Sequence, residues 1–233
     1  MVWREYALIV SFVFLVEISV QSSFLQLAEE NLALHMILEH AVFFAIGAMS
    51  VMVAETALRL ASSKIKLAAS NQDKRKQKLM NTGYIAIQTW TIILRRIFGL
   101  DRKYWFIWVI IPSALLGFWH YPSIFDLASA NLGIHILQHI SFIAVGATGF
   151  VAIRLIGESF RIILLFALCS MMSFAGLMFS ILNERVYLFY SVQDHNDAGT
   201  YMLILSIVIL VVCLPLYLVH RTIFHIKATR IAG

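Results

Sequence analysis

Residues 132–151 read LGIHILQHISFIAVGATGFV, twenty positions without an Asp, Glu, Lys or Arg. At about 1.5 Å of rise per residue, a helix of that length covers the roughly 30 Å hydrocarbon core of a bilayer. The stretch reads as a membrane-spanning helix, and it carries two histidines, His135 and His139, four residues apart. Working outward, five further runs have the length and apolarity of spans. The six lie near residues 6–25, 32–58, 104–119, 132–156, 160–182 and 201–219. The expected fold is all-α: a polytopic membrane protein with a six-helix transmembrane bundle, one membrane domain over residues 1–233.

Composition agrees. Of 233 residues, 61% are apolar and 13% charged, against about 25% charged in a soluble domain. With a mean hydropathy of +0.83, this excludes a disordered, disulfide-scaffolded or ordinary soluble protein. Cys169 and Cys213 stand alone in apolar runs, without a C-x-x-C, so neither disulfide nor thiolate metal site is indicated. The net charge of +5 is read as topology, because Lys and Arg set orientation. The segment 61–103 holds Lys74, Arg75, Lys76, Lys78, Arg95, Arg96, Arg102 and Lys103. With that loop in the cytoplasm, both termini are cytoplasmic. Arg185 is then the one outer residue among 18 Lys and Arg. The expected location is the plasma membrane. Residues 84–100 read as a short helix on anionic headgroups, or as a docking site for a partner subunit. No nucleic-acid partner is expected, since the basic run lacks aromatic interleaving.

The chain also matches itself at an offset of 100. Ser23, Leu27, Ala28, Asn31, Leu32 and His35 correspond to Ser123, Leu127, Ala128, Asn131, Leu132 and His135. After one extra residue, His40, Phe43, Ala45, Gly47 and Ala48 correspond to His139, Phe142, Ala144, Gly146 and Ala147. Spans one–two and three–four read as a duplicated two-helix hairpin, with repeat units 6–58 and 104–156 in the same orientation. Small residues on spans two and four would let those helices approach closely.

Six histidines fall toward the outer face: His35, His40, His120, His135, His139 and His195. His135 and His139, at i and i+4, share one helix face and suit chelation of one metal ion. His35 and His40 are five apart, a rotation of about 140° in a regular helix. Either they face different neighbours or a π-bulge absorbs the extra residue. Glu39, at i+4 from His35, reads as a ligand or as an acceptor that orients a ring. Met36 is a candidate soft ligand for copper, with helix packing as its plainer role. Glu17 is a candidate for proton transfer, whereas Glu55 lies near the basic inner surface where it can pair. No nucleophile–base triad, phosphate-binding loop or nucleotide motif is present, so catalysis is not expected.

The segment Phe118-Trp-His-Tyr-Pro-Ser-Ile-Phe-Asp-Leu-Ala, followed by His135-Ile-Leu-Gln-His139, resembles the membrane assembly factors of caa3-type (CtaG-type) cytochrome c oxidase. That family carries a W-H-x-P segment, an H-x-x-Q-H helix and an earlier H-M-x-x-H helix, matched here by His35-Met-Ile-Leu-Glu-His40. The pattern is similar also to that of uncharacterised archaeal membrane proteins. The resemblance covers spans two to four. It implies copper delivery to, or maturation of, an oxidase, and implicates Trp119, His120, Pro122, His135, Gln138 and His139, with His35 and His40.

The expected function is thus a histidine cluster near the outer face binding a redox metal, copper first, in support of a membrane metalloenzyme such as a terminal oxidase. Two alternatives stand beside it. One is a b-type cytochrome subunit with bis-histidine haem; the other is an accessory subunit without a cofactor.

Overall fold

The computed structural model describes residues 2–21, 26, 30–70, 105–219 and 221. Among the described residues there are seven α-helices and no strand. We label them α1 (Val2–Ser19), α2 (His40–Ser70), α3 (Ile107–Trp119), α4 (Pro122–Ala130), α5 (Leu132–Leu155), α6 (Glu158–Leu182) and α7 (Val192–Val208). A π-helical turn, Leu34–Glu39, leads into α2, and another, Ile209–Cys213, extends α7. Four helices are long and apolar enough to cross a bilayer: Leu34–Ala61, Leu132–Leu155, Glu158–Leu182 and Val192–Val219. A fifth span results if α3 and α4, bent 69° to each other, are taken together. In lipid every backbone polar group must be satisfied internally, which is why such a chain is built from helices. This is an all-α membrane protein.

The chain divides into two compact units, Met1–Leu25 with Glu39–Gly157 and Gln26–Leu38 with Glu158–Gly233, so that one of the boundaries falls within the π-turn, between Leu38 and Glu39. In the first unit, α5 packs against α2, α3 and α4, and α1 packs against α2. Its core joins Val42, Phe43 and Ile46 of α2 to Trp119 of α3, Ala128 of α4 and Phe142 of α5. The α2–α5 crossing is close enough that a methyl group on Gly47 would strike the backbone of Ile143 and Ala147. One on Gly146 would strike the backbone of Phe44. The matched glycines therefore make matched contacts. At the other end of the pair Arg154 binds Glu55 at 2.6 Å, which gives Glu55 the pairing expected for it.

The second unit is built on α6 and α7, which cross at Gly176 and Gly199 and are joined by a 2.6 Å hydrogen bond between Ser173 and Ser206. Its outer surface is apolar: Phe160, Ile163, Phe166 and Phe174 are more than half exposed. Such a surface suits lipid contact rather than water.

Three elements differ from the sequence expectation. Helix α1 occupies 2–19 where 6–25 was expected. The third span ends at Trp119 as expected, but a short helix the sequence reading did not include, α4, follows at an angle because Tyr121 is extended and Pro122 takes the first position of a new helix. Proline disfavours α geometry in the residue before it and suits a helix start. Helix α7 begins nine residues before the expected 201, at Val192. Ser191 and Asp194 form a reciprocal capping box there, which the polar run Gln193–Asp197 concealed. The interfacial helix expected at 84–100 and the basic loop beyond residue 70 lie outside the described residues.

Candidate metal centre

Two asparagines place the histidines. Asn131 Oδ1 accepts hydrogen bonds from the backbone N–H of Gly133 (2.9 Å) and Ile134 (3.2 Å), starting α5 so that His135 sits in its first turn. Asn31, its match in the first half, accepts from the N–H of Leu34 at 3.1 Å. Between Asn31 and the Gly47 crossing the chain has one residue more than between Asn131 and Gly146. Both ends are held by equivalent contacts, so the surplus is taken up between them, in the π-turn Leu34–Glu39. Of the two outcomes left open by the i, i+5 spacing, the π-turn is present, and the two histidines still have different ring neighbours, Tyr190 for His35 and His120 and Phe142 for His40. A π-turn spends an extra residue per turn and returns His40 to the register that a regular helix gives at i+4.

Glu39 closes this turn and is fully buried. Its Oε1 lies 2.7 Å from His139 Nε2 and 3.8 Å from His135 Nε2. The two imidazoles, one turn apart on α5, have ring centres 4.3 Å apart. Phe43 of α2 stacks on His139 at 4.1 Å, and its match, Phe142 of α5, packs against His40 at 4.2 Å. Each helix thus supplies an aromatic ring to the other helix's histidine. A carboxylate and two imidazoles converge inside an apolar helix pair. A carboxylate is costly to bury there unless it is protonated, paired with charge or bound to a metal.

A second pair stands beside the first. His40 and His120 have ring centres 5.2 Å apart with their planes at 73°. His120 caps the C-terminus of α3, and its Nδ1 donates to the carbonyl of Leu116 at 2.7 Å. A neutral imidazole that donates through Nδ1 carries its lone pair on Nε2.

A family model described as "Protein of unknown function (DUF1404)" matches residues 9–220. The chain belongs to that family. No curated protein and no solved structure matches it.

Within this DUF1404 protein the remaining candidates are distributed as follows. His35 opens the π-turn and belongs to the second unit, where its ring lies 6.4 Å from that of Tyr190. Met36 is buried beside it in sequence. Gln138 and Trp119 are buried, and neither Gln138 Nε2 nor Trp119 Nε1 donates to a partner among the described residues. His195 is a structural residue. Its Nδ1 donates to the carbonyl of Ser191 at 2.7 Å, and its Nε2 accepts the backbone N–H of Tyr187 at 3.0 Å. Glu17 is exposed on α1. Sequence reasoning did not assign Phe43 and Phe142 to the site, although their matched positions in the internal repeat were a signal.

Proposed function

We propose that the chain is a membrane metal protein in which Glu39, His135 and His139 hold one first-row transition-metal ion between α2 and α5. The observation that carries this reading is the fully buried Glu39 carboxylate with two imidazole nitrogens within 3.8 Å of one of its oxygens. Two nitrogens and one carboxylate oxygen form a donor set suited to copper, zinc or non-haem iron. Copper, in the service of assembling or maturing a membrane oxidase, is the member of that set favoured by the W-H-x-P and H-x-x-Q-H resemblance. The protein would supply or hold the ion without turnover of its own.

A bis-histidine haem between the same helices is opposed by packing. The Gly47–Gly146 crossing, about 10 Å along the helices from His40 and His139, holds the two backbones in contact, and a porphyrin needs a wide slot there. The direct 2.7 Å contact of His139 with Glu39 favours a second reading, an interhelical polar clamp in an accessory subunit with no metal. The arrangement of the spans belongs to the same proposal. Residues 6–58 and 104–156 are read as duplicated hairpins, supported by the reciprocal Gly47–Ile143 and Gly146–Phe44 contacts and by the Phe43–His139 and Phe142–His40 ring pairs. Six spans with cytoplasmic termini would put the histidines at the outer face.

The test is metal analysis and an absorption spectrum of the full chain purified in mild detergent. Roughly one metal per chain, no Soret band, and loss of the metal in Glu39→Ala and in His135→Ala/His139→Ala are expected. A wild-type protein that takes up neither copper, zinc nor iron supports the clamp. A Soret band lost on the same substitutions supports the cytochrome.

A further inference from the structure

We infer that Phe43 is a positioning residue of the metal centre. It holds the His139 ring so that Nε2 faces the Glu39 carboxylate, and so sets the geometry and affinity with which a divalent ion is bound. Phe43 itself touches no ion in this arrangement, and its role rests on the metal reading proposed above. On a helix the backbone fixes where a histidine's Cβ stands and restricts its first side-chain torsion. The second torsion, which turns the ring, is broad and roughly two-fold. The i, i+4 spacing of His135 and His139 thus brings two rings to one face of α5 without deciding which way either ring edge points. That decision has to come from another element.

Helix α2 and the turn before it meet His139 at two places. Glu39 Oε1 lies 2.7 Å from Nε2, at the edge of the ring. Phe43 lies over its face, with ring centres 4.1 Å apart and planes inclined by only 21°. Glu39 and Phe43 are four residues apart, about one turn along the same side of the helix. A contact at the edge alone leaves the imidazole free to twist; a flat ring against its face removes that freedom. Phe43 is in turn held fast. It is 5% exposed and belongs to the cluster that includes Val42, Ile46, Trp119 and Ala128.

The repeat sharpens the assignment. Phe142, the match of Phe43, meets His40 at 66°, and His135 meets His139 at 68°. On the α2–α5 pair, the close parallel stack falls on the histidine that is in direct contact with Glu39. A face contact also has an electrostatic consequence. The phenyl face is the negative part of the ring quadrupole, and an imidazole bound to a cation is drained of electron density, so the stack strengthens as the ion binds.

The experiment uses the full chain in mild detergent with Co(II) as the divalent probe, because its visible absorption bands report ligand geometry. Phe43→Leu should lower Co(II) affinity about tenfold or more, as loss of a group that orients a metal-bound histidine does, and should shift the bands. Phe43→Tyr, which keeps the ring face, should hold both at wild-type values. Ile46→Ala, a truncation in the same cluster, should lower the melting temperature and leave the bands in place, which separates orientation from packing. A second measurement does not depend on whether Phe43→Leu folds. With para-fluorophenylalanine at position 43, which keeps the native shape, the fluorine resonance should shift on loading with diamagnetic Zn(II). Wild-type affinity and bands in Phe43→Leu, the same band shift in Ile46→Ala, or an unmoved fluorine resonance in zinc-loaded protein would each overturn the role of Phe43 and leave the metal site standing. A wild type that takes up neither Co(II) nor Zn(II) would overturn both.

Discussion

In His195 both ring nitrogens are engaged, one donating to Ser191 and the other accepting from Tyr187, and the side chain is completely buried. It ties the α6–α7 connection to the first turn of α7. His195→Ala would remove the acceptor of the Tyr187 backbone N–H, at a cost of about 1–3 kcal/mol, while the Ser191 carbonyl keeps the backbone N–H of residue 195. A lower melting temperature with unchanged metal content is the expected result, measured on the same preparations as the Glu39 variants. His135 and His139 are the same residue type put to another use, since both face the Glu39 carboxylate. Residue type alone did not separate these roles. The i, i+4 spacing on α5 did single out His135 and His139. The engagement of His195 depends on a capping box that brings Tyr187 and Ser191 onto its two nitrogens, which no local spacing announces.

Among the elements, the α2–α5 crossing governs the site. Gly47 and Gly146 lie seven residues beyond His40 and His139, and each would drive a Cβ into the other helix's backbone. Gly146→Ala should therefore cost about 1–3 kcal/mol or more, because backbone cannot move aside as a flexible side chain can. It should also weaken metal binding, since Glu39 and His139 would be drawn apart. Gly149→Ala, on the same helix, places its Cβ where nothing lies within 4 Å. That control should be neutral or stabilising, by up to about 1 kcal/mol of helix propensity. Thermal melts of the two variants in one detergent check the contrast. Small residues on both helices made a close approach legible from sequence. That Gly47 and Gly146 are the residues at the closest approach is visible only in the packed helices.

For the whole molecule, orientation follows from charge. Seventeen of the 18 Lys and Arg residues fall inside if both termini are cytoplasmic, leaving Arg185 outside. A single cysteine at Glu184, which is exposed in the α6–α7 connection, should then react with an impermeant reagent on intact cells. One at Asn71 should react only after permeabilisation. Both are placed in a background with Cys169 and Cys213 replaced by Ala. The opposite pattern would put the histidines at the inner face and remove the extracytoplasmic copper role, while leaving the Glu39 site itself untouched.

By itself the sequence determined what local rules govern. Long uncharged runs must be helices in lipid, because backbone groups find no water there. Asn31 and Asn131 start helices wherever they fall, and His135 and His139 share a face because a helix repeats every 3.6 residues. Only the tertiary structure decided which side chains meet. Glu39 reaches histidines almost a hundred residues away, and His40 turns to His120 of α3, because a π-turn and a glycine crossing set the rotation of α2 against its neighbours. Both features respond to contacts between helices, and those contacts exist only once the helices have packed.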